Sequence, residues 1–384
     1  MLDRSLFHRV QKALENFPIV AIIGPRQCGK STLSKQVLLD SSRHYKYLDL
    51  ERPSDLMKLD NAEFYLQNQS DYLVCLDEIQ RKPDLFPLLR SIVDLSNDNG
   101  QFLILGSASP ELIRQSSESL AGRVAYIELA PFSLGEVGPE NRIDLWVKGG
   151  FPRSFLARDS EMSYLWRENF VSTFLEKDIP NLGFTIAPND IRRLWQMLAH
   201  SHGQILNQST LARSLGTSHV TVKKHVDILV NTFMLRYLEP YHTNFGKRII
   251  KAPKVYLRDT GILHYLLGIE VFDELVGNPI LGASWEGVGV EHLIRRFVKY
   301  RPSYLRTSGG AEVDLILEKG DKRFMFEFKV SNSPSPSRGF YSILGDLKPN
   351  LSFIVSPIDE LYEYKKDIYV GGLHEIMEFI EGRL

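Results

Sequence analysis

The chain has 384 residues, 43% of them hydrophobic and 24% charged, with a formal net charge of −1. That composition can build two or three packed domains and excludes a disordered, collagen-like or disulfide-stapled chain. No run approaches about 18 uncharged apolar residues, the first residues lack a signal-peptide core, and Cys28 and Cys75 fall in a loop and an apolar run, so the expectation is a cytoplasmic protein with reduced thiols and no membrane partner.

Up to about residue 135, apolar runs at 17–24, 45–51, 72–78, 101–107 and 124–129 alternate with helical stretches. Nearly continuous apolar runs suit parallel strands covered by helices on both faces, so a three-layer α/β domain is expected. The first run leads into Gly24-Pro25-Arg26-Gln27-Cys28-Gly29-Lys30-Ser31, followed by Thr32 and a helical stretch. This fits G-x-x-x-x-G-K-[ST] between a strand and a helix, the setting of a phosphate-binding loop. Backbone N–H groups curl around phosphates there, Lys30 neutralises the β- and γ-phosphates, and the Ser31 hydroxyl ligates Mg²⁺. A chance glycine-rich turn is the plainer alternative.

The third run ends in Asp77-Glu78. Asp77 suits the outer coordination of Mg²⁺ and Glu78 suits polarising an attacking water, which points to a hydrolase of nucleoside triphosphates. A surface ion pair would use the same residues. The fourth run ends in Gly106-Ser107, whose hydroxyl reaches the γ-phosphate if this strand lies between those of Gly24 and Asp77; otherwise Ser107 caps the next helix. Arg123, just before the fifth run, is either a plain surface arginine or a group that reaches a neighbouring subunit's nucleotide.

Residues 140–260 read as mostly helical. The stretch 190–259 carries a net charge of +7 within a near-neutral chain, an electrostatic footprint of the kind that nucleic acid selects. Ser209–Gly216 followed by Ser218–Leu229 reads as a helix-turn-helix. Val222, Val226 and Leu229 share its inner face, leaving His219, Lys223 and Lys224 outside. Stretches 233–241 and 245–257, the second carrying Lys247 and Arg248, would be wing strands. Contact with DNA and packing against other subunits both suit such a unit.

Glu312–Lys329 reads as a hairpin turning at Gly320-Asp321. Its register sets Asp314 opposite Glu327 and Glu312 opposite Lys329, on the face that also carries Ile316 and Met325. The stretch 285–300 is the expected cover, bringing Glu286 or Glu291. Two carboxylates at ~4 Å repel by about 4 kcal/mol at an effective dielectric of ~20, which a divalent cation would relieve.

Together the loop, the Asp77-Glu78 strand, Gly106-Ser107, the Ser119–Arg123 segment and Gly149-Gly150-Phe151-Pro152 resemble a bacterial and archaeal AAA+ ATPase family. Its C-terminal domain of unknown function looks restriction-endonuclease-like. The resemblance implies ATP and Mg²⁺ as cofactors, Ser107 as a sensor, Arg123 as an arginine finger, and Gly150 and Pro152 as a lid element near the adenine. It implies a homo-oligomeric ring, with six subunits as a candidate size. In the hairpin it resembles the PD-(D/E)xK nuclease core: Asp314, Glu327 and Glu286 as metal ligands and Lys329 activating water, or a structural ion-pair network in a fold that has lost its chemistry. Cys28 departs from the small aliphatic residue usual in the loop, which suggests sensitivity to alkylation. The expected division is 1–140 ATPase core, 141–189 helical lid, 190–260 winged helix and 261–384 nuclease-like α+β domain.

Overall fold

The computed structural model describes residues 2–96, 98–107, 120–241 and 249–384. Two compact units make up the chain: residues 1–132 with 231–233, and residues 133–230 with 234–384.

The first unit is built on a parallel sheet of β1 (Ile19–Gly24), β2 (Tyr45–Asp49), β3 (Leu73–Asp77), β4 (Phe102–Ser107) and β5 (Val124–Glu128), in the order β2-β3-β4-β1-β5. These are the five apolar runs, trimmed by a residue or two at their ends. Strands buried on both faces must be apolar throughout: all five residues of β3 are buried, and Ile19, Val20 and Ile22 of β1 are fully so. Leu76, Ile104, Phe86 and Leu89 join one core cluster, the last two from the helix Leu85–Ser96. Because every strand runs the same way, Gly24, Ser107 and Asp77 end at one edge of the sheet, with Gly24 in register with Ser107. Ligands in such sheets bind beyond the carboxyl ends of the strands.

The second unit holds two further sheets. A small antiparallel one joins β6 (Gln204–Ile205), β8 (Lys254–Leu257) and β7 (Leu235–Leu238), and the helices Gln208–Leu215 and His219–Asn231 follow β6 in the chain. Gly216, at φ 64°, ends the first of these helices in a left-handed cap that few other residues adopt without strain. Val222, Val226 and Leu229 are fully buried, whereas His219, Lys223 and Lys224 are exposed. Lys247 and Arg248 lie outside the described residues.

The larger sheet runs β13 (Leu361–Lys365), β14 (Ile368–Gly371), β12 (Leu351–Val355), β11 (Lys322–Phe328), β10 (Glu312–Lys319), β9 (Arg301–Arg306). The β10–β11 register pairs Ile316 with Met325 and closes at Gly320-Asp321, as the sequence predicts. The cover differs from the expectation. Ile316 and Met325 pack with Phe340, Ile343 and Leu347 of the helix Arg338–Leu347. The helix Leu281–Arg296 lies against the opposite face, where Gly289 leaves room for the Phe328 ring: a Cβ there would come within 1.9 Å of Phe328. Among the described residues, no helix is long and apolar enough to cross a membrane.

Candidate functional site

At the carboxyl edge of the first sheet, the chain turns from β1 into the helix Lys30–Leu39. Gly29 (φ 100°) and Gln27 (φ 61°) take left-handed backbone conformations to make the turn. Gly24 passes so close to the neighbouring chain that a Cβ would lie 2.0 Å from the Leu129 carbonyl oxygen. Arg4 braces the loop from the N-terminal segment by donating to the Cys28 carbonyl at 2.9 Å. Cys28 is fully buried with its Sγ 3.3 Å from the Leu129 carbonyl, and burial raises its thiol pKa. Burial and the raised pKa argue against the expected sensitivity to alkylation, since a buried thiol is a poor nucleophile.

Lys30 is buried and donates to the loop's own carbonyls, Pro25 at 2.8 Å and Gly24 at 3.1 Å. The Ser31 hydroxyl donates to Asp77 Oδ2 at 2.8 Å, joining the loop to the end of β3. The Tyr47 hydroxyl, from β2, donates to the same oxygen. Asp77 Oδ1 accepts from the Glu78 backbone N–H at 3.0 Å, and Glu78 itself takes a left-handed turn at φ 57°. Burial lifts the Glu78 carboxyl above its ordinary pKa, against the pull of Lys30 and Arg26, and Gln80 donates to its Oε2. Glu51 accepts from Arg26 of the loop and from Arg81. Arg4, Tyr47 and Glu51 were not singled out from sequence, since none belongs to a local motif.

The Ser31 hydroxyl, in the first turn of a helix, and the Asp77 carboxylate, at the end of β3, are a pair of hard oxygen donors 2.8 Å apart, which suits Mg²⁺. β4 lies between β1 and β3, the condition set for Ser107; its side chain lies outside the described residues.

Arg123 sits at the other end of the sheet. Its carbonyl accepts from Ile19, the first residue of β1, so about 17 Å of strand separates it from Gly24. Its guanidinium forks onto both carboxylate oxygens of Asp94. Within its own chain it is therefore removed from the phosphate loop. Gly150 and Pro152 belong to the second unit. There the Gly150 N–H donates to Asp259 at 2.8 Å, and Pro152 opens the helix Pro152–Phe155.

The acidic cluster on the large sheet differs from the expected metal centre. Lys254, the first residue of β8 and 2% exposed, places its Nζ 2.8 Å from Glu286, 2.6 Å from Glu312 and 3.6 Å from Asp314. Burial favours a neutral lysine and loses to these acids and Tyr256, which hold its pKa well above the ordinary value. Burial, then Glu286, pushes the Asp314 carboxyl up to about 7; its Oδ2 accepts from the Phe328 N–H at 3.0 Å. Glu327 is turned to other partners, Lys329 at 2.8 Å and the Ser337 N–H at 3.1 Å. Among the described residues, no group of three or more His, Cys, Asp or Glu side chains is arranged to hold a metal ion. Glu286 and Asp314 thus meet on the Lys254 ammonium, whereas Glu327 is held by Lys329 and the Ser337 N–H. Glu291, the other candidate on the long helix, is buried between Arg236 and Arg258, each within 2.7 Å. Burial works to raise its pKa and is outweighed by the two guanidinium groups, which hold it well below the carboxylate range. Three cations of the basic middle stretch, Arg236, Lys254 and Arg258, are therefore spent on internal acids.

Comparison with known proteins accounts for most of the chain. Residues 16–138 match the model of an AAA domain. Residues 139–273 and 281–376 match two domains of unknown function, DUF8612 and DUF4143. The chain is 44% identical over 354 residues to the uncharacterized protein Rv2008c of Mycobacterium tuberculosis, covering 92% of this chain and 80% of that one. An uncharacterized protein of Haemophilus influenzae is 22% identical over 283 residues, covering 65% of this chain and 69% of the other. Among solved structures, the Walker-type ATPase PABY2304 of Pyrococcus abyssi aligns over 70% of this chain and 96% of its own, at 15% identity and a TM-score of 0.49. An identity of 44% across nearly the whole chain places it in the family of the mycobacterial protein, with an ATPase-like AAA domain as its first third.

Proposed function

We propose that the chain is an Mg²⁺-dependent ATPase and a homo-oligomer that couples ATP hydrolysis to binding, remodelling or Mg²⁺-dependent cleavage of DNA, its second unit being the part that acts on the DNA. The observation that carries the ATPase reading is the Ser31–Asp77 hydrogen bond at 2.8 Å, with Glu78 turned out at the end of the same strand. The loop from Gly24 to Thr32 would hold the phosphates, and Lys30 would exchange the carbonyls of Gly24 and Pro25 for phosphate oxygens. Ser31 and Asp77 would hold Mg²⁺, which supplies charge neutralisation at the β- and γ-phosphates. Glu78, its pKa raised by burial, is suited to accept a proton from an attacking water. Ser107, in register with Gly24, is the proposed sensor. The test is nucleotide binding and ATP turnover by the purified chain. Lys30→Ala should lose binding; turnover unchanged in that variant would refute the reading.

Arg123 is proposed to act in trans on a neighbour's nucleotide, in a ring. Support comes from its distance from its own loop and from the Asp94 fork that would hold it at a surface. His219, Lys223 and Lys224, exposed on the helix His219–Asn231, with Lys247 and Arg248, are the proposed DNA contacts in a winged-helix arrangement. Gly150 and Pro152 keep their proposed lid role. The boundaries of the matched domain models, at 138/139 and between 273 and 281, support separating an ATPase core, a helical middle and a C-terminal sheet domain.

A second reading replaces Mg²⁺-dependent DNA cleavage with an ATP-switched scaffold whose nuclease-like sheet is catalytically inactive. The observation favouring it is Lys254 among the acids that a nuclease would give to metal.

A further inference from the structure

We infer that Lys254 is the resident cation of the Glu286–Glu312–Asp314 cluster, and that this cluster is an ion-pair lock fastening β8 to the large sheet rather than a site for a divalent metal. The inference deepens the scaffold reading of the second unit.

The geometry argues as follows. An ammonium 2% exposed has lost its water and survives only with compensating charge. Lys254 has that charge on two sides. Glu286 comes from the helix Leu281–Arg296; Glu312 and Asp314 come from β10. The Tyr256 hydroxyl, two residues along β8, donates to the same Glu286 oxygen as Lys254, and the Tyr304 ring lies 5.6 Å from the ammonium. Arg306 takes the second oxygen of Glu312 at 3.3 Å. Every acid of the cluster therefore has a cation or donor at hand, and a divalent ion entering between Glu286 and Asp314 would have to expel a covalently tethered one.

The backbone around Lys254 leaves it little freedom to withdraw. The described parts of the segment joining β7 to β8, residues 239–241 and 249–250, pair with β9. Tyr241 N–H donates to the Tyr304 carbonyl at 2.7 Å, Tyr304 N–H to Glu239 at 3.0 Å, and Ile250 N–H to Arg306 at 3.0 Å. Pro240 and Ile249 form bridges with Tyr304 and Thr307. The Tyr304 hydroxyl donates to the Ala252 carbonyl, two residues before the lysine. These described parts of the expected wing strands 233–241 and 245–257 thus pair with β9 at the edge of the large sheet, and Lys254 is the charge that follows the second of them. A parallel fastening lies nearby, where Arg236 of β7 and Arg258 just beyond β8 clamp Glu291.

The experiment is thermal unfolding followed by tryptophan fluorescence, with and without millimolar Mn²⁺ and with no nucleotide or DNA present. All four tryptophans, Trp146, Trp166, Trp195 and Trp285, lie in the second unit, so the signal reports on it alone. Lys254→Met strands three carboxylates and should lower the melting temperature by roughly 5–10 °C. Adding Glu286→Gln to it should recover part of the loss, and Mn²⁺ should leave the parent unmoved while raising the Lys254→Met variant. Should Lys254→Met fail to fold, Glu286→Gln alone decides: a lock predicts a lower melting temperature, and an empty metal site predicts a higher one, because a repulsion is relieved. The inference is overturned if Lys254→Met melts with the parent, or if Mn²⁺ stabilises the parent and Asp314→Asn abolishes that. No readout involves ATP or DNA, so the lock and the ATPase reading fail separately.

Discussion

Two buried lysines divide the molecule. Lys30, 6% exposed, rests on two backbone carbonyls of its own loop; Lys254, 2% exposed, rests among three carboxylates. Carbonyls are neutral partners, and a phosphate oxygen bearing a full charge outbids them. Carboxylates on fixed backbone match any incoming anion, so releasing Lys254 would leave three charges uncompensated in a site with little water. The same side chain is thus poised to change partners in one unit and pinned in the other. What separates them is the competition for the ammonium, which no motif containing the lysine records.

The contrast is broken most severely at Glu78. Glu78→Gln removes the proton acceptor and leaves Lys30, Ser31 and Asp77 in place, so ATP should still bind while turnover falls by about 10²–10⁴-fold. A binding assay beside a phosphate-release assay reads both, and turnover near that of the parent would take Glu78 out of the chemistry.

Acid should separate the two units. His202, His264 and His292 of the second unit are fully buried or nearly so, and burial lowers their pKa values to about 3, 4 and 4. Their folded pKa lies below the unfolded value near 6.5, so the stability they contribute is complete above about pH 6.5 and lost as pH falls toward the folded values. At pH 5 each buried imidazole costs about 2 kcal/mol. In the first unit, His8 and His44 are exposed. Tryptophan fluorescence should therefore register unfolding of the second unit at a pH where a fluorescent nucleotide still binds the first. Loss of both signals at one pH would mean that the units unfold together.

Arg123 tests whether the first unit's site is complete within one chain. Arg123→Ala should keep ATP affinity and lose turnover, and mixing it with Lys30→Ala subunits should restore part of the rate at shared interfaces. Mixtures that stay inactive would reduce Arg123 to the partner of Asp94.

What the sequence made legible follows from the same contrast. The strand runs, the loop and Asp77-Glu78 are legible because a parallel strand and a phosphate loop are set by neighbours a few residues apart. The β10–β11 register is legible for the same reason, since Gly320-Asp321 and the alternation of the hairpin determine it. Lys254 was counted as one positive charge of a basic stretch, and the carboxylates that claim it lie 32 to 60 residues further on. Tyr47 on Asp77, Asp94 on Arg123 and the Arg236–Glu291–Arg258 clamp escaped in the same way. Charge counted along a chain treats every lysine and arginine as exposed, whereas tertiary pairing decides which of them face water.

That correction shapes the smallest effect expected. With Arg236, Lys254 and Arg258 turned inward, the exposed cations on the described part of the middle stretch are Arg193, Arg213, Lys223, Lys224 and Lys251, of which Lys223 and Lys224 are adjacent on the helix His219–Asn231, one turn after His219. Each phosphate neutralised releases condensed counterions, so affinity falls linearly with salt on logarithmic axes. Replacing Lys223 and Lys224 with glutamine should flatten that slope by up to ~2, and replacing Lys254 should leave it unchanged, because a cation already matched by three carboxylates has no counterion exchange to offer. The measurement is a binding titration of duplex DNA over a range of salt for the parent and each variant. A slope that moves with Lys254 but not with Lys223 and Lys224 would reverse the assignment: the lock would be the DNA contact, and the helix a surface for protein.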